Sequence, residues 1–178
     1  MSQMLDSWAL HVYSQTVTFA QFAQAYPPRK PDRAPANDDE CRLLSSKDGV
    51  QLLAAPPMTI DERHVPRRKG DPGCHLWVII SADCPFILER AVVTPPLQSG
   101  SVKHSNLTGG GPASCGGEIW FDPADESLTY VNGCSGRYGP CTTRELEDAV
   151  DAIRFLGYQA ESFGWDDQAN KPAMVLRK

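Results

Sequence analysis

Between residues 103 and 138 the chain gathers the side chains best suited to chemistry: Lys103, His104 and Ser105, then Cys115 and Glu118, then Ser135, Arg137 and Tyr138. Glycines punctuate them at 109–111, 116–117, 133, 136 and 139. An imidazole exchanges protons near neutral pH, a carboxylate orients or deprotonates a hydroxyl, and a guanidinium grips a carboxylate or phosphate with two parallel N–H groups. These types together predict a polar site for a nucleotide or other anionic small molecule. His104 and Glu118 are its candidate catalytic groups, and Ser105, Ser135, Arg137 and Tyr138 its candidate ligand-binding groups. Positive charge from Lys103 and Arg137 would hold His104 neutral, the form a base needs.

The site requires its segments to meet. Read as a strand, "SVKHSNL" puts Val102, His104 and Asn106 on one face and Lys103 on the other. In "GEIWF", Ile119 and Phe121 make the natural core pair, which leaves Glu118 and Trp120 on the opposite face. Antiparallel pairing of the two would bring His104 and Glu118 together. The glycines have two readings. Gly109 to Gly111 serve a wide turn, or they admit a ligand or a second backbone; Gly116 and Gly117 form a bulge at the start of the strand, or they do the same.

Taken as a set, "KHSNLTGG", "GGE" and "SGRYGP" resemble the HSSFLAGG…AG…SGHYxP pattern of the plant IQ-motif (IQM) family of calmodulin-binding proteins and segments of some bacterial polymorphic-toxin and effector proteins. The likeness covers about residues 101–140 and lies in His104, Ser105, Gly109, Gly110, Gly117, Ser135, Gly136, Tyr138 and Pro140. Arg137 stands where the plant family has histidine. The resemblance implies that the histidine segment and the Ser-Gly-Arg-Tyr turn form one local unit in an effector-like protein. It implies no calmodulin binding, because the chain has no IQ motif.

Two other readings remain open. "SCGGE" has the form of a reactive cysteine on a glycine-rich turn, with Cys115 as nucleophile and His104 as base. Alternatively the chain is a non-catalytic interaction module, an immunity, regulatory or scaffold protein, that meets a protein partner through an acidic surface and exposed Trp120, Tyr138 and Trp165.

The elements follow from periodicity. Thr18 and Gln21 form a capping box for a short helix carrying Phe19, Phe22, Ala23 and Tyr26, and Leu5, Trp8, Ala9 and Val12 also fall at helical spacing. Four prolines and a run of charges in "PPRKPDRAPANDDE" predict a solvated linker. "APPMTIDERHVPRRKGDPG", with Arg63, Arg67, Arg68 and Lys69, reads as an exposed loop or an anion-contacting one. "LWVII", "FILERAVV", "SVKHSNL", "GEIWF" and "SLTYV" read as strands. Thr142 opens the strongest helix, with Leu146, Ala149, Val150, Ile153 and Leu156 on one stripe and Gly157 at its end. "YQAESF" and "AMVLR" read as a closing hairpin.

The resulting expectation is an α+β fold, an antiparallel meander of about five to seven strands with one covering helix over about 143–156 and a short N-terminal helical arm. Its organisation would be an arm at 1–26, a linker at 27–40 and a single domain at 41–178. The chain has 178 residues, 41% hydrophobic, enough for one core. A net charge of −5 argues against nucleic acid as partner. There is no apolar run of membrane-spanning length and no signal-peptide pattern, so a cytoplasmic protein without a membrane partner is expected. Six cysteines then imply reduced thiols. Their spacing matches no zinc motif, so neither a metal nor another cofactor is expected.

Overall fold

The computed structural model describes residues 17–58, 73–98 and 100–173. The helical spacing at 5–12, the basic residues at 63–69 and the "AMVLR" strand lie outside them. The fold is α+β, built on a mixed six-stranded sheet. Its strands are β1 (Gln51–Leu52), β2 (His75–Ile79), β3 (Pro85–Leu88), β4 (Cys115–Phe121), β5 (Leu128–Asn132) and β6 (Gln159–Ser162). Their spatial order is β1-β3-β2-β4-β5-β6. Every pairing is antiparallel except β5 with β6. Three α-helices occur among the described residues: α1 (Phe19–Ala25), α2 (Asp38–Cys41) and α3 (Thr143–Phe155).

The sheet is not the simple meander expected: the connection from β3 to β4 crosses one face and α3 covers the other. β2 lies between β3 and β4, so residues 89–114 must pass from one side of β2 to the other. α3 returns the chain beside β5 in parallel, the usual consequence of a helical crossover. That crossing replaces the expected closing hairpin: β6 joins the main sheet, and the small hairpin is formed by β7 (Trp165–Asp166) and β8 (Lys171–Pro172).

Both faces are therefore buried, which accounts for the unbroken apolar run of β2. Trp77, Ile79, Phe86, Cys115, Ile119 and Phe121 point into a core with Phe22 of α1 and Leu146, Ala149, Val150 and Ile153 of α3. Leu76, Val78 and Ile87 point the other way, into a second core with Leu44, Val93, Leu97, Val102, Leu107 and Tyr138. That second layer is made of loops. "SVKHSNL", expected as a strand, is part of it: residues His104–Leu107 form a single 3-10 turn. Apolar residues at 102 and 107 anchor the segment at both ends, and alternation over so short a stretch cannot distinguish strand from tight turn.

Helix ends follow the capping rules. Thr18 accepts from the Gln21 N–H and Gln21 returns the bond to Thr18 N–H, closing the box on α1. Thr142 Oγ1 caps α3 through Glu145 N–H, and Gly157 leaves the helix at φ +98°. Glu145 does not close a second box; its carboxylate takes the Cys141 N–H and an ion pair with Arg29.

The β4 glycines are packing devices and not a bulge. A Cβ on Gly117 would overlap the backbone oxygen of Asn132, and one on Gly116 would crowd Trp77 O and Val78 Cγ1 at 2.9 Å. Gly136, by contrast, faces open space. Gly117→Ala should therefore lower unfolding free energy by about 2–4 kcal/mol, the range of overpacked cores. Gly136→Ala should leave it unchanged or raise it by up to about 1 kcal/mol. Urea unfolding of the two variants beside the wild type measures the contrast.

Candidate functional site

His104 and Glu118 do come to neighbouring positions. The 3-10 turn lies over β4, and His104 donates from Nε2–H to Gly117 O at 2.8 Å, one residue before Glu118. Because a carbonyl can only accept, this bond fixes the proton on Nε2. Glu118 is 2% exposed on the face opposite Ile119 and Phe121, and its Oε2 accepts from Asn132 Nδ2 at 2.9 Å. Asn132 Oδ1 in turn takes the backbone N–H groups of Glu118 and Cys134. Buried Cys74 is close enough that the Glu118 and Glu89 carboxylates add to the effect of burial in pushing its thiol up.

Arg137 points elsewhere. It sits in the turn after β5, 7% exposed, and its fork meets the segment preceding α2 and α2 itself. Nη1 donates to Arg33 O at 2.6 Å and Nη2 to Glu40 Oε2 at 2.5 Å. The same Glu40 oxygen accepts the Ala36 N–H at 2.6 Å. Lys103, exposed on the crossing loop, is near enough to lower the Glu40 carboxyl further. Arg137 is thus the cation in contact with Glu40, and the charge of Lys103 acts on the same carboxylate without a direct contact.

The remaining candidates build the scaffold. Ser135 Oγ accepts from the N–H groups of Arg137 and Tyr138, closing the turn. Tyr138 is fully buried in the second core; its Oη donates to Gly111 O at 2.8 Å and contacts Thr108 Oγ1 at 2.9 Å. Its own carbonyl receives Gly116 N–H, which ties the turn to β4. Ser105 is fully buried with its hydroxyl unpaired. Asn106, which alternation offered only as a face-mate of His104, holds three backbone groups: Oδ1 takes Lys103 N–H, and Nδ2 donates to Asp39 O and Arg42 O. A polar residue directly before an apolar anchor and a glycine turn was its only signal.

Residues 27–43, expected as linker over most of their length, lie against the body as a strap. Arg29 pairs with Ala113 in an isolated bridge, and its guanidinium reaches Glu145 Oε1 at 2.8 Å and Gly139 O. Asp32 N–H donates to Arg137 O, and Gln98 N–H to Asp39 Oδ1. The strap passes over Gly109 and Gly110, both at left-handed φ, where Cβ atoms would abut Leu43, Cys41 and Pro35. Those glycines therefore admit a second backbone, as one of their two readings required.

Two readings lose their basis. Cys115 is 0% exposed, and burial followed by the Glu145 charge pushes its thiol well up, so it offers neither access nor thiolate to a substrate. Trp120, Tyr138 and Trp165 are buried and cannot serve as exposed interface anchors. Among the described residues no three His, Cys, Asp or Glu side chains group as metal ligands. No helix there is long and apolar enough to cross a membrane.

Two measurements check this geometry. Tyr138→Phe deletes the bond to Gly111 O without changing shape and should cost about 1–2 kcal/mol in urea unfolding. Glu40 is held below its ordinary value of 4.5, first by the Ala36 N–H and then by Arg137 and Lys103. A depressed folded value contributes stability above the ordinary value and loses it as pH falls through the depressed one. Wild type should therefore melt above Glu40→Gln at neutral pH, and the gap should close on acidification below the carboxylate range. In comparisons with protein-family models, curated proteins and solved structures the chain matches nothing, so roles are assigned from geometry.

Proposed function

We propose that the protein binds a small molecule through a phosphate or carboxylate group, a nucleotide being the leading class, with Arg137 and Lys103 as the anion-holding pair. One observation carries the reading. The guanidinium of Arg137, presented by a glycine-rich turn, already grips a carboxylate supplied by another part of the chain, with the charge of Lys103 close enough to add to the attraction. Two cations around one monoanion leave a positive excess that suits a phosphate dianion.

His104 and Glu118 act here as positioning groups. The His104 bond to Gly117 O fixes the turn on which Lys103 is mounted. The reading assigns binding and no reaction, because the Arg137 fork that would hold the ligand faces the strap at Arg33 and Glu40 and not His104 or Glu118. The likeness of residues 101–140 to the plant IQM module and to bacterial effector segments belongs to this proposal, as does action in the cytoplasm. Both are consistent with one compact unit joining the histidine turn to the Ser-Gly-Arg-Tyr turn.

The test is calorimetry and thermal shift with inorganic pyrophosphate and nucleoside diphosphates at low ionic strength. Wild type should bind, and added salt should weaken binding. Lys103→Ala, at an exposed position, should lose about 3–10-fold in affinity, the equivalent of roughly 0.6–1.4 kcal/mol. Arg137→Lys keeps the charge and loses the fork, so its loss should be larger. Equal binding by all three proteins, or none by any, removes the reading.

A further inference from the structure

The strap that carries Glu40 has an unusual hold on the body. From Ala23 to Leu43 no residue is buried, whereas Phe22 before it and Leu44 after it are core residues at 0% and 3% exposure. The segment is pinned at both ends by apolar anchors and attached between them by polar contacts: Arg29 to Glu145 and Gly139 O, Asp32 N–H to Arg137 O, Arg137 to Arg33 O and Glu40, and Asn106 to Asp39 O and Arg42 O. A net hydrogen bond contributes about 0.5–1.5 kcal/mol, whereas ordering one backbone residue costs about 1–2 kcal/mol. Beyond Tyr26, which packs on Phe22, the segment has no such apolar support and belongs to the low-stability end of the molecule, where opening is frequent.

The two clips on the strap differ. Glu145, the partner of Arg29, is 3% exposed, rooted in α3 and held also by Cys141 N–H. It stays with the body whatever the strap does. At the other clip the direction is reversed: Arg137 belongs to the body and Glu40 to the strap, on a helix of four residues with no buried side chain. Opening the strap between Arg33 and Leu43 would remove Glu40, Arg33 O and Asp39 from the site in one movement. It would leave Arg137 and Lys103 without their internal carboxylate, while Arg29 keeps its grip on Glu145.

From this arrangement we infer that residues 33–43 are an autoinhibitory strap, with Glu40 as an internal pseudo-ligand in the site where an external phosphate group binds. The inference rests on the anion site at Arg137 and Lys103 and adds its regulation. Ligand and strap compete for one guanidinium, so apparent affinity is the intrinsic affinity scaled by the fraction of molecules with the strap open. A partner that captures the displaced strap raises ligand affinity by the same factor that ligand raises affinity for that partner.

The experiment measures pyrophosphate affinity of the full chain, wild type and Glu40→Gln, by calorimetry, with amide hydrogen exchange of the wild type at zero and saturating pyrophosphate. Glu40→Gln keeps the shape of the strap and removes its charge, and should bind at least tenfold more tightly. In the wild type, saturation should speed exchange at Gln98, whose N–H bonds Asp39 Oδ1 of the strap, while Trp77 in β2 stays protected. Equal affinities for the two proteins, with Arg137→Lys still weakening binding, overturn the strap and leave the anion site standing. No binding to either protein takes down both. Should Glu40→Gln fail to fold, wild-type exchange decides: unchanged or slower exchange at Gln98 on saturation overturns the inference.

Discussion

A sheet face covered by loops instead of a helix must satisfy the backbone groups of those loops from outside, and this constraint shapes the whole region between residues 103 and 140. A helix over that face would have bonded its own N–H and C=O groups. The crossing from β3 to β4 has no such ladder, so side chains supply the partners. His104 serves Gly117 O, Tyr138 serves Gly111 O, Thr108 serves Ser105 O, Asn106 serves three backbone groups, and Ser135 and Asn132 serve two each. Glycines admit the close approaches that these bonds demand. Much of what looks like catalytic equipment in the sequence is the hydrogen-bonding apparatus of an irregular layer.

Against that background the ionic contacts stand apart. A side chain that pairs with a backbone carbonyl solves a local problem that has no other solution once the loop is buried. Arg137 and Glu40 solve no such problem for each other: the pair is enclosed, with side chains 9% and 14% exposed, but Glu40 rides on a strap without core residues, so the two charges part when the strap returns Glu40 to water. Their geometry is therefore the part of the region that can change without dismantling the fold. Glu118 is the contrasting case. It is buried and bonded to Asn132, so it reads as a lock between β4 and β5.

The sequence made legible those features whose cause is local. The capping box at Thr18, the Thr142 cap and apolar stripe of α3, the buried run of β2 and the alternation of β4 all have the structure they predict. The opposition of Ile119 and Phe121 to Glu118 is among them. What escaped was long-range. Whether "SVKHSNL" extends or turns depends on the crossing that it must make, and both give the same short pattern. β1, two exposed residues long, has no signal of its own and exists because β3 offers it an edge. The charged, proline-rich composition of residues 27–40 describes their exposure correctly but not their docking, because docking by polar contacts leaves no apolar trace in a sequence.

That last failure bears on how the protein works. Composition that predicts an unattached segment and a structure that shows an attached one are both satisfied by a segment whose attachment is worth little. Pro27, Pro28, Pro31 and Pro35 limit the conformations an opened strap could explore, and so limit the entropy that favours opening. The polar clips supply the opposing enthalpy. With both terms small, the proposed competition of an external anion for Arg137 would be enough to set the balance. A strap made of apolar residues would have been fixed; one made of glycine and serine would never have closed.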